Sequence, residues 1–489
     1  MRALDKVLAA HPLPLFNPDG SPAELKALQI EDINKLAVLG RALGDLPVGY
    51  GKTAIATCTA LMIHPPVTLV LVPPILIEQW VKWLNGIPGI GSVVAYRGSP
   101  KERKRLRLRG ARWVVSSYGM FKNDFERLAK ELPDPMTIMD ECQNAKSYKS
   151  DLFKKLKEFS DGKPLLLLSG TIMSKPDDGY AYIKLNNPEV YPRFVTFQNI
   201  HVAKFDNFDQ PEEWKNLDLL QANLDLSRVK RSKAEVHAHL PTVRYTPIEY
   251  RLDPEHLALY RKLMDKQLLE IGEGKIDAIV AGKLYAASQQ IIGNWAYYAD
   301  DKGKVPQLYT LIDTVFDEIG IGQAVYPGNP PHSKLIIWTN YRRTSSSLLA
   351  YINAKGLVKD KKGVPYKQSW YAAGAYGEVD SKAGVKAFME DPSCLVLVAQ
   401  PGSAGAGLNP QHVCWEMLFV EMPTTTIPFT QCSGRIDREG QMYNPNIRLA
   451  IAKDTVQQSL LKNLFSNDGL VQKASGTKQS IRDLIYPRP

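Results

Sequence analysis

The sequence predicts an α/β protein built from two parallel-sheet domains. Each half of the chain contains four short apolar runs that are rich in Val, Ile and Leu and are followed by a helical pattern. Continuous apolar runs of this length are typical of strands buried on both faces of a parallel sheet. The runs are residues 67–73, 112–117, 136–141 and 164–171 in the first half, and 334–340, 394–400, 416–422 and 446–452 in the second.

Length and composition indicate a globular protein of two or three domains. The chain has 489 residues, of which 44% are hydrophobic and 23% are charged. Its net charge of +10 favours a polyanionic partner such as nucleic acid. Charge alone does not decide the partner, because many basic proteins bind no nucleic acid.

The cysteines and the N-terminus indicate the compartment. The five cysteines are scattered without a CxxC pair, which argues against a disulfide framework or a zinc site and for a reducing environment. His237 and His239 have no further residues at ligand spacing, so we predict solvated histidines there. Residues 1–16 lack the apolar core of a signal peptide. We therefore expect a soluble, intracellular protein, cytoplasmic or (in a eukaryote) nuclear, with no membrane partner and a monomer as the default.

The pattern along the chain predicts how the domains are divided. Residues 239–254 contain three prolines and are predicted to cross between the halves in an extended conformation. The residues on either side of this linker are rich in helix formers. The predicted parts are an N-terminal extension (1–24), a first domain (25–238) with a helical insertion at about 176–235, the linker, a second domain (255–470) with a helical insertion at about 255–325, and a C-terminal tail (471–489).

A glycine-rich stretch, DLPVGYGKT at residues 45–53, is a candidate phosphate loop. Gly51, Lys52 and Thr53 fit the end of the pattern GxxxxGK[ST]. Leu46 occupies the position of the first glycine, and Gly49 lies closer to the lysine. In such a loop Lys52 would contact the β- and γ-phosphates, and the Thr53 hydroxyl would bind Mg²⁺.

The run 136–141 ends in two acids, which supply further groups that hydrolysis of ATP needs. We predict that Asp140 holds the metal ion and that Glu141 orients or deprotonates water. Ser169 and Thr171, at the end of the next apolar run, could relay the state of the γ-phosphate, or could form an ordinary turn.

Positive charge for the transition state is predicted from the stretch TQCSGRIDREGQ in the second half. Arg435 and Arg438 are three residues apart, about one helical turn, so that both guanidinium groups can face one direction. Gln431 and Gly434 precede them at the spacing QxxGRxxR, which argues against an ordinary charged surface helix, and arginines donated by a second domain can stabilise the transition state.

These motifs, in this order, resemble those of superfamily 2 helicases, and within them the Swi/Snf-type double-stranded DNA translocases. The resemblance covers about residues 25–465, including LVLVPPILIEQWVKWL, VVSSYGMF, DECQNAKS, VKRSKAEVHAHLPTV, KLIIWTNYRR and GSAGAGLN. It implies two RecA-like parallel-sheet lobes with helical insertions between them, and ATP and Mg²⁺ as cofactors. Gln143 stands where the family's DExH motif has histidine, and Ile172 where a proline is common, which leaves the sub-branch open.

The resemblance also assigns further contacts. Gln29 would contact adenine, and Gly407 would contribute to the nucleotide site together with Gly49 and Gly51. Open α/β sheets bind ligands at the carboxyl ends of their strands. The nucleic-acid contacts implied there are Pro73, Pro74, Ser117, Tyr118, Thr339, Arg342, Arg343, Gly405 and Asn409.

Two other segments have a more ordinary interpretation beside the functional one. Trp80 and Trp83 have helical spacing, which favours packing of one helix face into the protein core. Stacking on bases is less expected, since a duplex translocase tracks phosphates. The run KERKRLRLRGAR (101–112) has seven basic residues and one acid. It is either a solvated surface or a nucleic-acid contact.

The function implied is an ATP-dependent DNA translocase or helicase acting on double-stranded or branched DNA, with branch migration, fork remodelling or annealing as outcomes. Two alternatives stay open. One is an ATP-driven remodeller of a protein–nucleic acid complex that is stimulated mainly by a protein partner. The other is an RNA-directed helicase, because recognition of the 2′-OH is not legible in the sequence.

Overall fold

The computed structural model describes residues 3–15, 23–206, 209–271, 278–294, 305–323, 331–359, 365–377, 379–404, 408–423 and 425–462. These residues form two compact units, the first ending at His239 and the second beginning at Leu240. No helix within the described ranges is long and apolar enough to cross a membrane.

The first unit contains, within the described residues, a sheet of seven parallel strands in the order β3-β4-β2-β5-β6-β1-β9. The four strands predicted in this half are confirmed as β2, β4, β5 and β6. In chain order the strands of the unit are β1 (Arg41–Asp45), β2 (Thr68–Val72), β3 (Val93–Tyr96), β4 (Trp113–Ser117), β5 (Met136–Asp140), β6 (Leu165–Ser169), β7 (Val202–Phe205), β8 (Pro211–Trp214) and β9 (Arg228–Lys230).

Helices cover both faces of this sheet. Successive strand residues alternate between two hydrophobic clusters, Leu69 and Leu71 in one and Val70 and Val72 in the other. The helices are α1 (Ala3–Ala10), α2 (Ala27–Leu39), α3 (Lys52–Ile63), α4 (Ile77–Asn85), α5 (Pro100–Arg105), α6 (Tyr118–Asn123), α7 (Phe125–Glu131), α8 (Asp151–Phe159), α9 (Asp177–Asn186), α10 (Phe194–His201), α11 (Leu217–Asp225) and α12 (Lys233–Val236).

The segment predicted as a helical insertion at about 176–235 is only partly helical. Besides α9 to α12 it contains the antiparallel pair β7 and β8. It also supplies β9, which pairs in parallel with β1 at the edge of the main sheet. The sequence of β9, Arg-Val-Lys, has one apolar residue, so that neither its length nor its pattern indicates a strand.

The second unit contains, among its described residues, a sheet of six parallel strands in the order β10-β17-β16-β11-β15-β14. The four strands predicted here are confirmed as β11, β15, β16 and β17. The strands are β10 (Arg244–Tyr250), β11 (Lys334–Trp338), β12 (Leu357–Lys359), β13 (Pro365–Gln368), β14 (Tyr371–Ala375), β15 (Cys394–Ala399), β16 (Cys414–Phe419) and β17 (Asn446–Ala452). β12 and β13 form a separate antiparallel pair.

The predicted linker is part of this second sheet. Its residues Arg244–Tyr250 are β10, which pairs with β17 along its whole length. Pro247 is tolerated because β10 is an edge strand. The helices of the unit are α13 (Pro254–Ile271), α14 (Ala278–Gly293), α15 (Gln307–Ile319), α16 (Arg342–Lys355), α17 (Ser381–Glu390), α18 (Pro401–Ala404) and α19 (Thr426–Ser433).

Candidate active site

The candidate phosphate loop connects β1 to α3. Gly49 and Gly51 have φ angles of 80° and 83°, in the left-handed region that favours glycine. Gly51 is also the N-cap of α3, and a Cβ atom there would lie 2.7 Å from the Gln29 side-chain nitrogen. A side chain at position 51 would therefore collide with the Gln29 amide.

The side chain of Gln29 fastens α2 to this loop. Its Nε2 donates to the Tyr50 carbonyl at 2.8 Å, and its Oε1 accepts from the Lys26 N–H at 2.7 Å. The contact with adenine implied for Gln29 stays a prediction, while its contact with the loop is an observed one.

Lys52 and Thr53 begin α3, with the lysine directed back over the loop. The Lys52 ammonium lies 3.3 Å from the carbonyl oxygens of Leu46 and Pro47. Both are neutral acceptors at long hydrogen-bonding distance, so a more strongly charged oxygen would be preferred by this cation.

Asp140 and Glu141 lie at the carboxyl end of β5. Asp140 is buried, and this burial together with the Glu141 charge raises its pKa to about 6, while Lys52 acts in the opposite direction. Glu141 is half-buried and has a φ of 52°. The strand register places Asp140 beside Leu168 of β6, and Ser169 beside Asp45 of β1. Three neighbouring strands thus bring the predicted groups to one edge of the sheet.

A hydrogen-bonded chain connects Glu141 to the end of β6. Gln143 Nε2 donates to Glu141 Oε2 at 2.7 Å, and Ser169 Oγ donates to Gln143 Oε1 at 2.7 Å. The Thr171 N–H then donates to Ser169 Oγ at 3.0 Å. Gln143, which replaces the histidine of the resembling family, thus bridges the predicted catalytic acid and the predicted relay residues.

Gly170, between Ser169 and Thr171 in the sequence, packs against the phosphate loop. A Cβ atom on Gly170 would approach the Leu46 carbonyl oxygen to 3.1 Å and the Val48 nitrogen to 3.2 Å. The backbone after β6 is therefore in direct contact with the backbone of the loop, and only glycine allows so close an approach without a shift.

The residues after β9 also hold the loop, a role that the sequence did not indicate. Arg231 pairs with the buried Asp32 at 2.7 Å, and Asp32 accepts the Tyr50 hydroxyl at 2.8 Å. His237 contacts the Val48 carbonyl through its Nε2 at 3.1 Å and is buried, so the prediction of a solvated histidine is wrong at this position.

The donors in this unit fit Mg²⁺. The Thr53 hydroxyl and the Asp140 carboxylate are oxygen ligands, which this ion prefers. Lys52 and the N-terminus of α3 would contact phosphate oxygens.

In the second unit, Arg435 and Arg438 converge on one acceptor. Their Nη1 atoms lie 3.5 and 3.4 Å from the Leu408 carbonyl, and Arg438 also donates to Asn409 Oδ1. Burial and the Arg435 charge lower the pKa of Arg438 to about 10. The prediction that one helical turn separates the arginines is wrong, because α19 ends at Ser433 and turns follow. Gln431 lies in α19 and is half-buried.

The predicted nucleic-acid contacts are placed in different ways. Pro74 is exposed and Pro73 half-buried at the turn after β2. Ser117 is buried and accepts the Met120 N–H as the N-cap of α6, while the Tyr118 hydroxyl donates to the Asp140 carbonyl. The side chain of Ser117 is therefore already used inside the unit.

The same holds for one residue of the second unit. Thr339 is fully buried and its hydroxyl is hydrogen-bonded to Ser345, so its side chain is not presented to a ligand in this structure. Arg342, Arg343 and Asn409 are exposed. Gly405 and Gly407 lie outside the described residues.

The basic run 101–112 is divided between internal and exposed positions. Arg103 is buried and pairs with Asp124 at 2.6 Å, and Arg112 donates to the Pro65 carbonyl. The other five basic side chains of the run are exposed.

A family model described as "SNF2-related domain" matches residues 28–291, which is more than half of the chain. The chain belongs to the SNF2-related family. The resemblance found in the motifs is thereby confirmed, together with the α/β fold of two parallel sheets. This SNF2-related chain is an enzyme of the ATPase/helicase class, and its family implies the use of ATP, typically with Mg²⁺.

Curated relatives agree with this family. An "Uncharacterized ATP-dependent helicase YqhH" of Bacillus subtilis (strain 168) is 24% identical over 96% of this chain and 81% of the relative. The "TATA-binding protein-associated factor mot1" of Aspergillus fumigatus is 32% identical over 91% of this chain, but this chain covers only 26% of that relative. The activities of such larger proteins are not transferred by the match.

A solved structure of the Sulfolobus solfataricus SWI2/SNF2 ATPase core in complex with dsDNA is also similar. It is 18% identical, covers 90% of each chain and has a TM-score of 0.40. A TM-score at this level is too low to support a structural argument, so the assignment to the SNF2-related family rests on the sequence match.

Proposed function

We propose that this chain hydrolyses ATP at the carboxyl edge of the first sheet and uses the cycle to move along double-stranded or branched DNA. The observation that carries the proposal is the hydrogen-bonded chain Glu141–Gln143–Ser169, which begins at a predicted catalytic acid and ends beside the phosphate loop. The family assignment supports ATP use. The DNA substrate rests on the motif resemblance and on the net charge of +10, which favours a polyanion.

The residues of the first unit divide the work of hydrolysis between them. The loop N–H groups and Lys52 bind the phosphates, replacing the two carbonyl contacts that Lys52 makes now. Thr53 and Asp140 would hold Mg²⁺, which would neutralise charge on the phosphates. Glu141 accepts a hydrogen bond from the attacking water and orients it, and Gln143 fixes the direction of the Glu141 carboxylate.

We propose that Arg435 and Arg438 stabilise the negative charge of the transition state. Two guanidinium groups that share one carbonyl and are partly desolvated repel each other, and an anion relieves this repulsion. Phosphate in the transition state of hydrolysis is such an anion. Gln29 is proposed to contact adenine, and Gly407 to belong to the same nucleotide site.

The proposed DNA contacts are limited to exposed groups. Arg342 and Arg343 carry exposed guanidinium groups that can bind phosphates. The Asn409 amide N–H can donate to a phosphate while its Oδ1 accepts from Arg438. The exposed Pro74 can pack against the sugar–phosphate backbone. Such contacts carry no sequence information, so we expect binding that depends on salt and on DNA structure more than on sequence.

The experiment is the steady-state ATPase rate, measured alone and with single-stranded DNA, duplex DNA, four-way junctions and RNA. Glu141→Gln should lower kcat by about 10²- to 10⁴-fold, because the acid that orients water is lost. Glu158→Gln, an exposed acid on α8, is the matched control and should behave like the wild type.

The nucleic acid that stimulates the wild type decides the substrate. Stimulation by duplex or junction DNA, absent in Glu141→Gln, supports the proposal and separates linear from branched substrates. Stimulation by RNA alone favours the RNA-directed alternative. A rate indifferent to every nucleic acid contradicts the proposal and directs the search to a protein partner.

A further inference from the structure

Three aromatic side chains of the first unit hold the two residues proposed to bind Mg²⁺. Trp80 Nε1 donates to the Asp140 carboxylate (Oδ2) at 3.1 Å. The Tyr118 hydroxyl donates to the main-chain carbonyl of the same Asp140. Trp83 Nε1 donates to the Thr57 hydroxyl at 3.1 Å, and Thr57 donates to the Thr53 carbonyl at 2.8 Å.

The Asp140 carboxylate is oriented from both sides. Its Oδ2 accepts the Trp80 indole, and its Oδ1 accepts the Glu141 N–H at 3.0 Å. An indole N–H can only donate, so this contact keeps a lone pair of the carboxylate occupied and leaves the others for a cation. Trp80 is 1% exposed and packs in the core, so its ring cannot turn away without loss of that packing.

The aromatic donors belong to two helices that begin near the proposed nucleic-acid contact at Pro74. The exposed turn at Pro74 runs into α4, which carries Trp80 and Trp83. Tyr118 is the first residue of α6, at the end of β4. β4, β2 and β5 are neighbours in the sheet, so both helices begin near the strand end that carries Asp140.

We propose that Trp80 is a positioning residue for Asp140, and that Trp80 and Tyr118 connect nucleic-acid contact at the exposed turn after β2 to this metal-binding carboxylate. The connection rests on the proposed function, while the positioning role of Trp80 does not require DNA. A shift of α4 or α6 when nucleic acid binds moves a hydrogen-bond donor of Asp140, and so changes how well Asp140 holds Mg²⁺.

The first readout is equilibrium binding of a fluorescent ADP analogue, with Mg²⁺ and with EDTA. Trp80→Phe keeps an aromatic ring and removes the donor. We expect the gain in affinity that Mg²⁺ confers to fall by about 10-fold or more, since loss of a group that orients a metal ligand has effects of this size. The affinity in EDTA should be unchanged. Tyr118→Phe should lower the same gain by about fivefold.

Trp113→Phe is the matched control. Trp113 is also 1% exposed, and its indole donates to a main-chain carbonyl, that of Ile90, at 3.1 Å. It therefore loses an equally buried indole hydrogen bond in the same unit, away from Asp140. Its Mg²⁺-dependent gain should equal that of the wild type. A Trp80→Phe protein with the same gain as Trp113→Phe would overturn the positioning role.

The second readout is the ratio of ATPase rates with and without duplex DNA at saturating Mg²⁺. Trp80→Phe should lose most of the stimulation that Trp113→Phe retains, and equal ratios would overturn the connection to nucleic acid. If the wild type itself is not stimulated, the proposed DNA function fails, and the Mg²⁺ readout still decides the role of Trp80. If Trp80→Phe does not unfold cooperatively, its fold is damaged and it is not interpreted. Tyr118→Phe is then compared with Trp113→Phe in both measurements, the Mg²⁺-dependent gain in affinity and the stimulation by duplex DNA.

Discussion

The two units share one architecture, but their candidate site residues are held in opposite ways. In the first unit, acids at the sheet edge accept hydrogen bonds from neutral donors, Asp140 from Trp80 and Glu141 from Gln143. In the second unit, Arg435 and Arg438 are both directed at the Leu408 carbonyl, and Arg438 also donates to Asn409 Oδ1. Parallel sheets thus supply only the placement of the two sites. The loops decide that the first site presents acids, which suit a metal cation, and that the second presents arginines, which suit an anion.

The largest expected effect tests the cationic side of this comparison. Arg438→Ala or Arg435→Ala should lower kcat by about 10³-fold or more, because charge on the transition state is no longer neutralised. Binding of ADP should change little. Arg251→Ala removes an exposed arginine of the same unit and is the control. If the Arg435 or the Arg438 variant retains a tenth of wild-type turnover, that arginine does not stabilise the transition state.

The next effect tests whether the first unit holds its phosphate loop in a preformed shape. Asp32→Asn should lower the free energy of unfolding by about 3 to 5 kcal/mol, because Arg231 stays in place with no buried charge opposite it. Urea denaturation is the measurement. ADP affinity should also fall, since the Tyr50 hydroxyl is held by Asp32.

The control for this change is a substitution of Glu31, the other acid that contacts Arg231. Glu31 contacts Arg231 at 2.8 Å but is exposed, so solvent screens the pair. Glu31→Gln should therefore leave unfolding and ADP affinity close to wild type. Equal effects of Glu31→Gln and Asp32→Asn would show that the buried pair does not support the loop.

The smallest effect concerns Glu421, a buried acid of the second unit that neutral donors hold. It accepts the N–H groups of Asn340 and Tyr341 and the Thr344 hydroxyl, and burial raises its pKa from 4.5 to about 7. The folded state keeps a proton that the unfolded state loses between these values. The free energy of unfolding should therefore fall as pH rises from 4.5 to 7, by up to about 3 kcal/mol, with the loss complete above pH 7.

Glu421→Gln removes this titration and should flatten the pH dependence of the urea midpoint between pH 5 and 8. The flattening should be partial, because burial also raises the pKa of Glu416 to about 7. An unchanged pH profile in Glu421→Gln would show that Glu421 does not titrate in this range.

Two of the strands that the sequence missed, β1 and β9, share a physical reason. The eight predicted strands are continuous apolar runs, and both faces are buried in strands such as β2 and β5. β1 reads RALGD and β9 reads RVK, so that polar residues and a glycine obscure the pattern. Both owe their conformation to pairing, β1 with β6 and β9 with β1. Strands that depend on their neighbours leave little local signal.

By itself the sequence determined the fold class, the family and the order of the chemical groups, because apolar runs and motif spacing are local properties of the chain. Only the tertiary structure decided which side chains hold those groups. Arg231 reaches Asp32 across 199 residues, and Trp80 reaches Asp140 across 60. Such pairs form because adjacent strands of a parallel sheet come from distant parts of the chain, and burial of the donors then makes each contact specific.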